Sequence, residues 1–154
     1  MKIATQGGDG KVAFASESAV VTLTPAVTKG QLLKLTLSSG GYSAAVIAGG
    51  TASANDDKAG TVFAIALDDY AAGTKGRVGL RGVFNAVCNA NVDVGDLLTA
   101  SDDGSGGLFI EISATPNTTE YRRVLGVAVT DGAGGTCDVQ FDGVGLNFVS
   151  SAAQ

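Results

Sequence analysis

The chain of 154 residues has no histidine and no tryptophan, only two prolines and two cysteines, and charged side chains at 16% of positions. Each shortage closes something off. Without histidine there is no conventional general base, no Ser-His-Asp triad and none of the commonest transition-metal ligand. With two prolines, turn-making falls to glycine, which occurs 23 times, and short apolar runs between glycine turns are the pattern of a β protein. Helical periodicity is missing over any length that sustains a stable helix. No run approaches the roughly 18 apolar residues of a membrane helix, so a membrane is not an expected partner. The net charge of −5 comes with no basic stripe to neutralise phosphates, which argues against nucleic acid as a partner. What is present is apolar: hydrophobic residues make up 45% of the chain, too many for a disordered one. The length fits one compact domain or two half-size lobes.

The opening MKIATQGGDGK has no apolar stretch of the kind a secretory signal needs, so synthesis in the cytoplasm is expected. In that compartment Cys88 and Cys137 are expected as free thiols. The G-G-D-G-K run lacks the spacing and the Ser or Thr of a phosphate loop and reads as a turn.

The chain repeats itself. Residues 63–83, FAIALDDYAAGTKGRVGLRGV, recur as LGVAVTDGAGGTCDVQFDGV at 125–144, with one gap near Tyr70. The alignment sets Ala66 on Ala128, Asp69 on Asp131, Val78 on Val139 and Gly82 on Gly143. An earlier signature, V-T-K-G-Q-L-L at 27–33, matches V-D-V-G-D-L-L at 92–98. Two related halves, about 27–84 and 92–144, therefore make a duplicated domain over 27–145. Residues 1–26 form an arm without a counterpart, and 146–154 form a tail.

Within the first half, Leu33, Leu35 and Leu37 alternate with Lys34 and Thr36, the period of a strand with one buried face. Residues 62–67 are an unbroken apolar run, short enough for a strand buried on both faces. In 77–83 the apolar Val78 and Leu80, followed by Phe84, fall on one side and Arg77 and Arg81 on the other. Strands at 96–100, 108–112, 124–129 and 137–144 repeat this course. The pattern predicts an all-β domain whose halves share one core, closed or nearly closed so that strand edges are protected.

Candidate chemistry is thin. Asp69 and Asp131 invite comparison with an aspartic protease dyad, but the Thr or Ser that family places after the aspartate is missing, and each sits after a strand where its carboxylate would cap backbone N–H groups. Asn89, Asn91 and Asp93 have the alternate spacing of a calcium loop, with the glycine one place late and no glutamate at the twelfth place. No catalytic set, cofactor site or metal site is expected, and the chain is not expected to be an enzyme. The repeat also reverses charge: Arg77 aligns with Asp138 and Arg81 with Asp142, while Val78 aligns with Val139. These four residues are candidate interface positions, either within the chain or between neighbouring subunits. In the arm, Val20, Val21 and Leu23 are candidates for a strand added to a partner's sheet edge.

The V-x-x-G-D-x-L pattern at 92–98, the strand, aspartate and A-G turn at 64–73 and 125–134, and the alternating strand at 77–83 resemble the small head-decoration (capsid cement) proteins of tailed bacteriophages. The resemblance spans about 27–145 and is spread over many weak positions. It implies a β-tulip or small β-barrel body on the outer surface of the virion, bound to the major capsid protein of the expanded head. It further implies a homo-oligomer, with a trimer favoured, and an arm lying on the shell. Two other readings stay open: a different surface-lattice, fibre or adhesin module, and a histidine-free aspartic protease.

Overall fold

The computed structural model describes residues 16–38, 40–46, 62–101, 107, 109–111, 121–143 and 147–150. The first fifteen residues of the expected arm, the loops at 49–60 and around Pro116, and residues 151–154 of the tail lie outside these. The described residues form eleven strands and no helix. The first half contributes β1 (Glu17–Leu23), β2 (Leu32–Ser38), β3 (Gly41–Val46), β4 (Val62–Ala66) and the start of β5 (Lys75–Val87). The second contributes the rest of β5, then β6 (Leu97–Ala100), β7 (Phe109–Glu111), β8 (Tyr121–Val124), β9 (Gly126–Ala128), β10 (Thr136–Asp142) and β11 (Asn147–Ser150).

The order β1-β3-β2-β4-β5 closes on itself, because β1 pairs antiparallel with β5 from Glu17 opposite Arg81 to Thr22 opposite Lys75. The result is a five-stranded barrel with no open edge. From Arg81 onward β5 leaves β1 and pairs with β10, Arg81 opposite Asp142 and Val87 opposite Thr136. The order then runs β5-β10-β9-β6-β7, and a parallel bridge from Cys88 to Phe109 brings β7 back to the end of β5. One thirteen-residue strand thus belongs to two rings.

The expected all-β, barrel-like body of two related halves is what the chain forms, and the register shows the relation between the halves. Leu32 faces Ile65 in one half and Leu97 faces Val127 in the other. Ala66 faces Val78, and Ala128 faces Val139. Gly30 N–H donates to the Ala66 carbonyl at 2.8 Å and Gly95 N–H to the Ala128 carbonyl at 2.9 Å. Both glycines have positive φ, 85° and 93°, a turn conformation that L side chains resist.

Three expectations need correction. Residues 17–23 are not an arm outside the repeat: β1 is the first strand of the first half, and its counterpart is the second part of β5. Both run antiparallel to the closing strand of their half and parallel to the third, β1 with β3 and Cys88 with Phe109. The sequence hides this because Ala19, Val21 and Leu23 share only inward apolar character with Phe84, Ala86 and Cys88. Likewise β11, within the expected tail, pairs with β8.

The halves do not share one core either. Val21, Leu23, Val27, Leu33, Ala64 and Val78 fill the first barrel. Phe109, Leu98, Val139 and Phe141 fill the second, with Leu32, Phe63 and Ile65 of the first half packed among them. Alternation on β4 makes this possible: Ala64 and Ala66 point into one barrel, Phe63 and Ile65 into the other core. The strand is buried on both faces, as its unbroken apolar run requires. Phe141 meets Phe84 and Phe109 edge-on, with ring centroids 6.5 and 5.9 Å apart, contacts worth roughly 0.5–1.5 kcal/mol each beyond their area.

Candidate functional site

The duplicated aspartates hold turns. Asp69 Oδ1 accepts the Lys29 N–H at 2.7 Å, and Asp131 Oδ1 accepts the Val94 N–H at 3.2 Å, the same contact in each half. Each ties the loop before the second strand of its half to the turn after the fourth. Among the described residues no hydrogen bond joins the two carboxylates. The Asn89 stretch is likewise committed to its own backbone, with Asn89 Oδ1 accepting the Asn91 N–H at 3.1 Å.

Cys88 and Cys137 are buried free thiols in the second core. Burial first, and then a hydrogen bond and charge coupling with Cys88, push the Cys137 thiol up to about 12. It is protonated and unreactive at neutral pH.

The charge-reversed positions divide. Arg81 on β5 lies directly opposite Asp142 on β10 and Glu17 on β1. Its Nε sits 3.3 Å from Asp142 Oδ2, its Nη2 donates to Asp142 Oδ1 at 3.4 Å, and its Nη1 is 3.9 Å from Glu17 Oε1. The guanidinium therefore clips three strands together where β5 passes from one barrel to the other, and the contact is within the chain. Arg77 and Asp138 do not meet. Asp138 instead accepts a hydrogen bond from Asn85 Nδ2 at 3.0 Å, while Arg77 stands exposed opposite Val20.

Val20 is 64% exposed on the outer face of β1, but Val21 and Leu23 are buried in the first barrel. Those two are corrected from interface candidates to core, since alternation along a barrel strand sends every second side chain inward. Sequence reasoning missed another exposed set, Leu97, Val129, Val83 and Val94. The alignment of Leu97 with Leu32 carried no signal of this, since the two equivalent leucines differ only in the structure, where one is buried and the other is not.

No protein-family model matches the chain, and no curated protein matches it in sequence. Among solved structures, the fold is similar to the N-terminal base of the head fiber protein gp8.5 of bacteriophage phi29, with a TM-score of 0.52 and 17% identity over 83% of this chain and 95% of that one. At that identity the likeness is one of fold.

Proposed function

We propose that the chain is a structural protein of a tailed-phage virion, carried on the outer surface of the head and bound to the major capsid protein. The observation that carries this reading is the fold similarity to a head-fiber base, reached independently of the sequence resemblance to head-decoration proteins. The residues that could have suggested chemistry fit the same reading, because Asp69 and Asp131 cap turns and the thiols are buried. The working form is a homo-oligomer, a trimer by the resemblance, and as a cement it would act by mass action, preferring the expanded shell. A base for a projecting fibre is the second reading, favoured by the same similarity. Electron microscopy of expanded phage heads emptied of DNA and mixed with the protein tests both. Ordered density on the outer surface is the expected result, and heads that stay bare at saturating protein would overturn it. Thermal disruption of the same heads tests the cement role: a cement raises the disruption temperature, and an unchanged temperature at saturating occupancy leaves only the fibre-base reading.

A further inference from the structure

The two halves carry the same outer face but cover it differently. In the first half the row Leu32, Ile65 and Gly79 lies across β2, β4 and β5, and the second half buries it: Leu32 and Ile65 belong to the second core. Gly79 is glycine because a Cβ there would lie 2.6 Å from the Phe84 ring. The equivalent row in the second half is Leu97, Val127 and Gln140 across β6, β9 and β10. Nothing in the described chain covers it in that way: Leu97 is 40% exposed, Val127 opposite it is half-buried, and Val129, two residues along the chain from Val127, is 46% exposed. Carboxylates flank this face, with Asp138 next to Val129 and Asp131 holding the Val94 loop.

We propose that this face docks a second copy of the chain, head to tail, through the outer face of that copy's β1 and β5. There the exposed Val20 lies opposite Arg77, and Thr22 opposite Lys75, so an apolar residue again sits among charges, now of the opposite sign. Three observations support this occupant over another protein. A repeat of this same chain is what covers the equivalent face in the first half. The charges of the two faces are complementary. The one pair of charge-reversed positions left apart within the chain, Arg77 and Asp138, falls on the two faces, one on each. Such an interface is heterologous and generates a ring when the rotation closes. The inference supplies the surface for the homo-oligomer proposed above and rests on that part of the reading.

Sedimentation velocity of the full chain without phage heads tests it. Arg77→Asp disables one face and Asp138→Arg the other, so each variant alone is expected to associate about tenfold or more weakly. Mixed one to one, they are expected to regain part of the association, because a contact between unlike variants has an intact pair or a swapped one, whereas a ring of three keeps one contact between like variants. The double variant Arg77→Asp/Asp138→Arg, in which every contact is swapped, is expected to regain more. Raising salt from about 0.1 to about 1 M shortens the screening length from about 10 to about 3 Å and should weaken the wild-type contact. Leu97→Glu and Val20→Glu, both at exposed positions, read the same two faces should Asp138→Arg fail to fold. A wild-type chain that stays monomeric, Glu variants that associate like wild type, or folded charge variants that regain nothing on mixing would overturn the proposal. A monomer that still coats phage heads overturns the contact between copies and leaves the head-surface reading standing. Association by a chain that leaves heads bare does the reverse.

Discussion

Leu32→Ala and Leu97→Ala are the same substitution at equivalent positions of the two halves, and the fold assigns them different costs. Leu32 is fully buried, packed with Phe63 and Ile65 in the second core. Removing its isobutyl group loses the transfer free energy and leaves a cavity between the halves, about 2–5 kcal/mol for buried leucines. Leu97 is 40% exposed, so water fills the space left behind and only part of the transfer term is lost, about 1 kcal/mol. The expected gap is therefore at least about 1 kcal/mol and centres nearer 2–3. For a domain of this size 1 kcal/mol moves the melting temperature by roughly 2–4 °C. Urea unfolding and calorimetry of the monomeric chain at low concentration would read both variants against wild type. Equal losses would refute the claim that the second half covers one leucine and leaves its twin open. A larger loss for Leu97 at high concentration alone would instead report the contact between copies.

Replacing Asp69 or Asp131 by alanine removes one backbone cap per half and should cost about 1 kcal/mol or less each, since both turns are exposed; denaturant midpoints would show it. Because the folded state holds the Cys137 proton more tightly than the unfolded chain, the contribution is fully present below about pH 9 and is lost as pH rises toward 12. Unfolding midpoints measured across that range should fall more steeply for wild type than for Cys137→Ala. Arg81→Ala should cost about 0.2–1 kcal/mol, because the pair with Asp142 is about half exposed; a double-mutant cycle with Asp142→Ala measures the coupling. Gly79→Ala should cost about 1–3 kcal/mol by displacing the Phe84 ring, a loss visible in thermal melts and relieved in part by Phe84→Leu.

Most strands were legible because a barrel strand must alternate and a doubly buried one must not; 33–37 and 62–67 show the two patterns. The turn aspartates were legible for a related reason, since a short carboxylate after a strand has few uses other than capping. Residues 20–23 were legible as a strand, but the place of β1 in the first half was not, because residues 17–23 and 82–88 share a position in the fold but almost no residue types. The partition of the core was hidden too. A period of two tells that Leu32 and Leu33 face opposite ways, but which barrel each one enters depends on pairings between residues tens of positions apart. Val21 and Leu23 were misplaced by the same gap: an apolar strand looks alike whether its edge is open or closed.

The sharing of β5 between two rings also bears on how the chain reaches this state. Glu17 pairs with Arg81, and Arg81 with Asp142, so both rings depend on contacts between distant residues. Such topologies fold slowly, because loop-closure entropy is lost before the long-range contacts repay it. Neither ring can close until β5 is laid down, and once it is, each ring prepares one face of the other's template. Amide exchange along β5 should accordingly be the slowest in the molecule and uniform from Lys75 to Val87, with no step at Gly82 to mark where one barrel ends and the other begins.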